Sequence, residues 1–249
     1  MNRYGLLGRK LGHSLSKIIH EYIFEKSNID ATYDLIELEE DEILDKINLL
    51  RSGYYSGFNV TIPYKETVIP YLDKLTDAAK EINAVNTIYI SDGMLIGDNT
   101  DYLGFIDELT FFNIDVASKE VYVLGSGGAS KAIVYALNKL NAKTIVVSRN
   151  ISNGITYEEF KNIKHYDLII NTTPIGMYPN IDGEVLEKEV VERADICIDL
   201  ITTPKVTKFL EYSKIGFNGI YMLIFQAIHA QEIWNEFITF DVKELYNML

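Results

Sequence analysis

The first part of the chain alternates between short apolar runs and segments in which apolar residues have helical spacing. Apolar runs at 3–8, 32–38 and 57–62 predict β-strands. Between them, apolar residues recur every three or four positions over 15–23 and 41–50, which predicts amphipathic helices. Strands that are separated by helices usually pair in parallel, so this part of the chain is predicted to form an α/β sheet.

Local signals mark where these elements begin and end. Ser14 or Ser16 is the expected N-cap of the first helix, because a serine hydroxyl accepts hydrogen bonds from the free amides there. Gly53 is placed to end the second helix. Pro63 is placed at the first position of a further helix, after the strand at 57–62.

The dipeptide Asp92-Gly93 lies between two apolar runs and predicts a β-hairpin with a two-residue loop. In that register the numbers of paired residues sum to 185, so Asn86 faces Asn99. Asp101 lies just beyond, and the hairpin is therefore predicted to carry two polar clusters to one end.

A second α/β pattern follows. Strands are predicted at 120–124, 143–147, 166–170 and 194–200, with a helix at 129–140. This succession of strands and helices has about the size of a mononucleotide-binding fold.

The two patterns predict two α/β domains. The first comprises 1–103 and is completed by the tail, 224–249, which has the pattern of two helices. The second comprises 104–223.

Composition narrows the class of protein. The 23 basic and 36 acidic residues give 23 − 36 = −13, with 47% hydrophobic and 24% charged residues, which is typical of a globular protein. Such an acidic chain is not expected to bind nucleic acid, because binding would require neutralising a row of phosphates. No apolar stretch reaches the roughly 18 residues of a membrane span, so no membrane partner is expected either.

The compartment is predicted from cysteine use and from the first residues. Cys197, the single cysteine, lies in an apolar run and is expected to be a buried, inert thiol that forms no internal disulfide. Residues 1–12 have no apolar core or cleavage pattern of a signal peptide, so the protein is predicted to be cytoplasmic.

A glycine-rich turn joins the strand at 120–124 to the helix at 129–140. Gly125 permits the tight turn, Gly127 lets the backbone approach a pyrophosphate, and the small Ser130 allows the helix to pack closely on the strand. The phosphates are expected to bind the free amides at the helix N-terminus. The turn therefore predicts a dinucleotide site.

The residues after the next strand indicate which dinucleotide binds. An NAD site usually carries Asp or Glu there, to bind the ribose hydroxyl. Here the strand ends in Ser148 and Arg149, and an arginine without a neighbouring acid suits a 2′-phosphate. NADP is therefore preferred over NAD.

Polar residues cluster at predicted strand ends in the first half, where α/β sheets bind ligands. The hydroxyl and amide side chains of Ser14, Ser16 and Asn86 suit a small polyhydroxylated ligand. Lys65 and Asp101 are candidates for a proton-transfer pair, with the lysine as general acid and the carboxylate orienting it.

Taken together, these motifs resemble the shikimate dehydrogenase family from residue 5 to about residue 234. The motifs that carry the resemblance, in chain order, are Gly12-His13-Ser14-Leu15-Ser16 followed by His20, Asn59-Val60-Thr61-Ile62-Pro63-Tyr64-Lys65, Ala84-Val85-Asn86-Thr87, Gly97-Asp98-Asn99-Thr100-Asp101, Gly125-Ser126-Gly127-Gly128-Ala129, Asn171-Thr172-Thr173-Pro174-Ile175-Gly176-Met177 and Met222-Leu223-Ile224-Phe225-Gln226.

The resemblance implies reversible reduction of 3-dehydroshikimate to shikimate with NADPH, in chorismate and aromatic amino acid biosynthesis. It implies that the first domain binds substrate, that the second is a Rossmann-type NADP domain, and that the two flank a cleft. The implied catalytic residues are Lys65 and Asp101, and the implied substrate-binding residues are Ser14, Ser16, Thr61, Asn86 and Gln226, with Asp101 also contacting substrate. The implied cofactor-binding residues are Gly125, Ser126, Gly127, Gly128, Ala129, Ser148, Arg149, Thr172 and Met222.

Some positions depart from the family pattern. Tyr102 follows Asp101 where glycine is usual, and Ser148 replaces the usual asparagine before Arg149. Thr202 stands where a tyrosine normally meets the substrate, and its shorter side chain leaves a gap for water or lowers affinity. Lys10 and Lys17 replace usual prolines, and Glu21 replaces a common asparagine.

Alternative functions remain open from the sequence. A paralogue that acts on quinate or an amino analogue would share the ring contacts, and a non-catalytic NADP-binding regulatory module would need no Lys65–Asp101 pair. No metal is expected, because His13 and His20 have no evident third ligand. The expected assembly is a monomer or homodimer.

Overall fold

The structure, a computed structural model, describes residues 1–12, 14–149, 154–235 and 238–249. It divides into two compact units. Unit 1 comprises Met1–Gly104 and Leu223–Leu249, and unit 2 comprises Phe105–Met222. The sequence prediction divides the chain at 103/104 and 223/224.

The strands are β1 (Asn2–Gly8), β2 (Ala31–Glu37), β3 (Gly57–Val60), β4 (Lys74–Leu75), β5 (Thr87–Ser91), β6 (Met94–Asp98), β7 (Glu120–Leu124), β8 (Lys143–Val147), β9 (Tyr166–Asn171), β10 (Ala194–Asp199) and β11 (Gly216–Asn218). The helices are α1 (Ser16–Lys26), α2 (Ile43–Arg51), α3 (Asp77–Ile82), α4 (Asp101–Phe111), α5 (Gly128–Lys139), α6 (Tyr157–Lys161), α7 (Lys188–Val191), α8 (Lys208–Glu211), α9 (Ile220–Trp234) and α10 (Val242–Met248). In the described part of the chain, no helix has the length and apolar character that a membrane crossing requires.

Unit 1 contains a six-stranded mixed sheet with the order β2-β1-β3-β5-β6-β4. β1 pairs in parallel with β2 and β3, whereas the hairpin strand β5 runs antiparallel to β3 and to β6. One face of the sheet packs against a core that includes Leu7, Phe58 and Ile88. This mainly parallel arrangement around a hairpin agrees with the α/β prediction.

The hairpin has the predicted register. Thr87 pairs with Asp98 and Ser91 with Met94, so that paired numbers sum to 185. Asp92 and Gly93 have φ angles of 51° and 74°, the left-handed backbone that a two-residue hairpin loop of this twist requires. The sequence therefore specified this element locally.

Two local predictions in unit 1 are wrong. Pro63 does not begin a helix: the Ile62–Pro63 peptide bond is cis, and residues 62–68 form consecutive turns. Neither serine is the N-cap of α1, because Leu15 occupies that position without a side-chain cap. The Ser14 hydroxyl instead accepts a hydrogen bond of 3.3 Å from the Ser16 amide.

Unit 2 contains a five-stranded parallel sheet with the order β11-β10-β9-β7-β8. Its core packs around Tyr122, Phe160 and Tyr166, and it includes Cys197, which is buried and unpaired in a disulfide as predicted. Burial raises the pKa of the Cys197 thiol to about 12, so the thiol stays protonated and unreactive.

Candidate functional site

Strand order in unit 1 brings the predicted polar residues to one edge of the sheet. Thr61 follows the carboxyl end of β3, and its amide donates to Leu7 of β1 at 2.9 Å. Because β5 is antiparallel to β3, the amino end of β5 lies at this same edge, with Thr87 paired to Asn59. Asn86, which precedes β5, therefore lies at the same edge of the sheet as the residues that follow β3 and β6.

A close ion pair is the chemical centre of this edge. The Nζ atom of Lys65 lies 2.6 Å from Oδ2 of Asp101, and the two side chains are only 14% and 9% exposed. Burial of this kind removes most of the water that would otherwise screen the pair. The lysine is therefore held in one place by the carboxylate, as a positioned proton donor must be.

Asn86 is the centre of the hydrogen bonding around the ion pair. Its Nδ2 atom donates to Oδ1 of Asp101 at 2.8 Å, to the Thr100 hydroxyl at 3.0 Å and to Oε1 of Gln226 at 3.3 Å. Its Oδ1 atom accepts from the Thr100 amide at 2.6 Å and from the Thr87 hydroxyl at 3.0 Å. The Asn86 amide is thus satisfied on both sides, and Asp101 receives a hydrogen bond on each oxygen.

The remaining predicted substrate residues lie apart from this network. Ser16 is buried, whereas Ser14 and Thr61 are half-buried. Within the described ranges, no hydrogen bond joins these three hydroxyl groups to Lys65 or Asp101. The structure therefore groups Lys65, Asn86, Asp101 and Gln226 directly, and it leaves the three hydroxyl residues without direct hydrogen bonds to the ion pair.

The predicted glycine turn lies at the carboxyl edge of the sheet in unit 2. Gly125 has a φ angle of 105°, and a β-carbon there would lie 2.8 Å from Oγ1 of Thr172. The Thr172 hydroxyl donates to the Leu124 carbonyl at 2.6 Å and so fixes the turn. Both conformation and space therefore require glycine at position 125.

The start of α5 is open to a ligand. Gly127 is its N-cap and supplies no side-chain cap, while a β-carbon at Gly127 would meet no atom within 4 Å. The Ser130 hydroxyl bonds back to the Gly125 carbonyl at 2.8 Å instead of capping the helix. Free amides, a positive helix end and open space fit the pyrophosphate of a dinucleotide.

Strand register also brings Ser148, Arg149 and Thr172 to this edge. Leu124 at the end of β7 pairs with Val147 of β8 and Asn171 of β9, so Ser148 and Thr172 follow the two flanking strands. Arg149 is exposed, and its charge lowers the pKa of Tyr157, although burial raises that pKa more strongly. Met222 is buried in the first turn of α9. The exposed guanidinium is available to a phosphate group.

The two positions that depart most from the family pattern are both half-buried. Tyr102 lies in the first turn of α4, directly after Asp101. Thr202 lies in an irregular segment after β10.

His20, the second histidine of the first motif, is fully buried in unit 1. Its Nδ1 atom lies 2.6 Å from Nε2 of Gln231, and burial lowers its pKa to about 3, so the ring is neutral. His13 lies outside the described residues. Among those described, the group of side chains with metal-binding spacing consists of His165, Asp167 and Asp195, at a different place.

Sequence reasoning missed several buried polar residues. Tyr33, Asn59 and Thr87 form hydrogen bonds beneath the Lys65–Asp101 pair, and Glu108 and Asp199 are buried carboxyl groups in unit 2. Asn59 and Thr87 belong to motifs that were recognised, so the motifs themselves were the available signal. Glu108 lies in an ordinary helical pattern that gives no such signal.

Comparisons with known proteins identify the family of the chain. Residues 6–88 match the family described as "Shikimate dehydrogenase substrate binding domain". A shikimate dehydrogenase (NADP(+)) of Clostridium beijerinckii is 43% identical over 254 positions, covering 95% of this chain and 93% of that protein. Shikimate dehydrogenase 1 of Peptoclostridium difficile has a TM-score of 0.91 at 40% identity, covering 100% of this chain and 97% of the other.

A third relative has been solved with ligands. Shikimate 5-dehydrogenase of Thermus thermophilus, in complex with NADP(H) and shikimate, has a TM-score of 0.91 at 26% identity and covers 99% of this chain and 98% of its own. At these levels of coverage the likeness extends over both units. The chain belongs to the shikimate dehydrogenase family.

Proposed function

We propose that this chain is an NADP-dependent shikimate dehydrogenase, an oxidoreductase that reversibly reduces 3-dehydroshikimate to shikimate in aromatic amino acid biosynthesis. The observation that carries the proposal is the buried Lys65–Asp101 pair, with 2.6 Å between Nζ and Oδ2, in a chain whose other unit has an open glycine turn. Relatives of about 40% identity over nearly the whole chain bear the same activity in their names.

Unit 2 supplies the cofactor site in this proposal. The amides at the start of α5 bind the pyrophosphate, and Gly127 leaves room for it. Arg149, together with Ser148, binds the 2′-phosphate, while Thr172 and Met222 line the site. The remaining backbone contacts are assigned to Ser126, Gly128 and Ala129. Bound NADPH supplies a hydride, which carries two electrons to the ketone carbon of the substrate.

Unit 1 supplies the proton. As the carbonyl oxygen gains negative charge, the Nζ ammonium of Lys65 donates a proton to it, and the oxygen becomes the hydroxyl of shikimate. Asp101 holds Nζ in place and balances its charge. In the reverse direction, neutral Lys65 removes the hydroxyl proton. Hydride and proton together account for the two electrons and the two hydrogen atoms of the reduction.

The other polar residues of unit 1 are assigned to substrate binding. Ser14, Ser16 and Thr61 offer hydroxyls to the carboxylate and ring hydroxyls, and Asn86 and Gln226, which are hydrogen-bonded to each other, offer amides. A small molecule is thereby the only partner the proposal needs. A reducing compartment such as the cytoplasm suits a chain whose single thiol is buried.

Quinate or an aminoshikimate is the alternative substrate, because its ring carboxylate and hydroxyls would make the same contacts. The test is oxidation of shikimate and of quinate by the purified protein with NADP⁺ and with NAD⁺, followed by NADPH or NADH absorbance. We expect shikimate with NADP⁺ to give the highest kcat/KM. Faster oxidation of quinate would contradict the substrate, and binding of NADP⁺ without any turnover would favour a regulatory module.

A further inference from the structure

Buried polar residues that are hydrogen-bonded to one another lead to Asn86, which itself bonds to the Lys65–Asp101 pair in unit 1. Tyr33, Asn59 and Thr87 are each buried, and none contacts Lys65 or Asp101 through a hydrogen bond within the described residues. They belong to β2, β3 and β5, whose order in the sheet places them near one another. A network of buried polar groups whose hydrogen bonds are all satisfied holds each of its side chains in one orientation.

These hydrogen bonds form a series that runs in one direction, from Tyr33 to Asn86. The Tyr33 hydroxyl donates to Oδ1 of Asn59 at 2.7 Å, and Nδ2 of Asn59 donates to the Thr87 hydroxyl at 3.1 Å. The Thr87 hydroxyl donates to Oδ1 of Asn86 at 3.0 Å, and it also lies 3.3 Å from the Thr100 hydroxyl. Together with the Thr100 amide, which donates to the same Oδ1 atom at 2.6 Å, it fixes the carbonyl end of the Asn86 amide, whose Nδ2 end faces Asp101 at 2.8 Å.

At the Tyr33 end of this series of hydrogen bonds, the tyrosine ring packs against a neutral histidine. The His20 ring stacks on Tyr33 with 4.1 Å between centroids and 6° between planes. Gln231 accepts from Asn235 through its Oε1 atom, so its Nε2 atom is the donor to Nδ1 of His20. The proton of His20 consequently lies on Nε2, a buried nitrogen that has no hydrogen-bond partner among the described residues.

We propose that Thr87 and Asn59 are positioning residues, which orient the Asn86 amide so that it holds Asp101 and, through it, the Lys65 ammonium in the geometry for proton transfer. The inference rests on the proposed function for the meaning of that proton transfer. The orientation of the Asn86 amide, however, is a property of unit 1 itself and can be tested without a substrate.

The central test is Thr87→Val, which keeps the shape of the side chain and removes the hydroxyl. Oδ1 of Asn86 then loses the Thr87 donor and keeps the Thr100 amide at 2.6 Å, so the Asn86 amide is held less firmly in its orientation. We expect kcat to fall by about 10- to 100-fold, the equivalent of losing one buried hydrogen bond, with a smaller change in the KM for shikimate. Thr87→Ser retains the hydroxyl and is expected to restore most of the activity.

Matched controls separate positioning from packing. Thr144→Val in β8 makes the same change at a buried hydroxyl that, within the described residues, has no hydrogen-bond partner, and it should leave kcat unchanged. If Thr87→Val proves unstable, Tyr33→Phe removes the first donor of the chain and should lower kcat several-fold. Its control is Tyr4→Phe, which removes a longer bond of 3.4 Å to Asn235.

Two readouts respond to orientation and not to stability alone. The solvent deuterium isotope effect on kcat should increase in Thr87→Val, because a misplaced lysine makes proton transfer slower relative to the other steps. The Asn86 side-chain amide signals in a ¹⁵N-resolved NMR spectrum should shift and exchange faster with solvent, with or without ligand.

The outcomes distinguish this inference from the proposed function. Wild-type kinetics and unchanged Asn86 signals in Thr87→Val would overturn the inference, as would equal losses in Thr87→Val and Thr87→Ser, since the hydroxyl would then be irrelevant. A wild-type protein that does not oxidise shikimate would overturn the proposed function, and the NMR comparison would still decide whether Thr87 orients Asn86.

Discussion

At the scale of single residues, the site depends on one buried cation. Lys65 is one of many lysines in an acidic chain, but its ammonium is bonded to a carboxylate that is itself held by Asn86. Most other lysine ion pairs described are more exposed, such as Lys80 with Asp77 at 56% and 102% exposure. Burial and a fixed partner, more than residue type, therefore distinguish the proposed proton donor.

We expect Lys65→Ala to lower kcat for shikimate oxidation by about 10²- to 10⁴-fold, the usual contribution of general acid–base catalysis. The KM for shikimate should change much less, because the hydroxyl and amide contacts remain. Steady-state kinetics against Lys80→Ala, an exposed lysine in the same unit, provides the comparison. Turnover equal to that of wild type would refute the role of Lys65.

Arg149 is a second single residue on which the proposal depends, because its side chain is expected to set the preference for NADP over NAD. It is exposed at the edge of the proposed nucleotide site in unit 2, where an acidic residue would be expected in an NAD enzyme. Its guanidinium can bind a phosphate through two parallel hydrogen bonds, whereas it gains little from a ribose hydroxyl.

Arg149→Ala is therefore expected to raise the KM for NADP⁺ by about tenfold or more, equivalent to roughly 1.4 kcal/mol, and to leave the KM for NAD⁺ nearly unchanged. The measurement is the ratio of kcat/KM for the two cofactors. Arg51→Ala, which breaks an exposed pair with Asp73 in unit 1, is the control. Equal losses with both cofactors would assign Arg149 a structural function instead.

At the scale of elements, the strand–turn–helix of unit 2 contains two glycines with different purposes. Gly125 has a φ angle of 105° and is crowded by Thr172, so its lack of a side chain serves the fold. Gly127 has an ordinary φ of −81° and open space around it, so its lack of a side chain serves nothing in the protein itself. The open space is then explained by the ligand.

Substitution of each glycine by alanine should separate the two purposes. Gly125→Ala is expected to lower the free energy of unfolding by about 1–3 kcal/mol, because alanine is strained at this backbone conformation. Gly127→Ala should leave the unfolding midpoint unchanged and raise the Kd for NADPH, because its methyl group takes the space proposed for the pyrophosphate. Thermal unfolding and NADPH fluorescence measure the two quantities. A Gly127→Ala protein that binds NADPH normally would contradict the proposed placement of the phosphates.

Elements also show where local pattern was sufficient. The hairpin register followed from Asp92-Gly93, because a two-residue loop fixes the pairing of its strands. The helix expected at Pro63 does not form, since the chain after β3 turns repeatedly to bring Lys65 toward Asp101. Proline at a helix start is only a preference, and the requirements of the surrounding fold override it.

At the scale of the whole molecule, each unit contains a buried group whose ionisation would oppose folding. In unit 1, burial lowers the pKa of His20 from 6.5 to about 3, so its contribution to stability is present above pH 6.5 and is lost as the pH falls toward 3. In unit 2, burial raises the pKa of Glu108 from 4.5 to about 8, with a smaller opposing effect from the Met222 amide. Its contribution is present below pH 4.5 and is lost as the pH rises through 8.

The loss of stability between pH 6.5 and pH 8 can be attributed to a single residue. Burial also raises the pKa of Asp199, but only to about 6, so between pH 6.5 and 8 Glu108 dominates among these three groups. The wild-type free energy of unfolding should decrease by roughly 1–2 kcal/mol over that interval.

Glu108→Gln should remove this decrease, because the amide does not ionise. Urea unfolding at pH 6.5 and pH 8 measures the difference, with Glu189→Gln, an exposed position in α7, as the control. A decrease of equal size in the wild type and in Glu108→Gln would show that Glu108 is not the responsible group.

The net charge of −13 is a property of the whole molecule that bears on which ligands it can bind. A chain with this charge is a poor general receptor for anions, yet the proposed ligands are a carboxylate and a phosphorylated cofactor. Their binding is explained by local groups: a buried lysine, an exposed arginine and the amides of one helix end. Bulk charge therefore disfavours the binding of polyanions, whereas a small anion can bind where such local groups meet it.

The sequence by itself determined the features that depend on neighbours along the chain. The longer strands, helices α1, α2 and α5, the hairpin, the glycine turn and the motifs of the site follow from local spacing, because short-range backbone geometry and burial pattern dictate them. Only the tertiary structure decided which polar residues meet. Gln231 reaches His20 across 211 positions and Gln226 reaches Asn86 across 140, and no local pattern encodes those hydrogen bonds. The order of strands in the sheet creates such contacts, and burial then makes their polar groups depend on one another for hydrogen bonds.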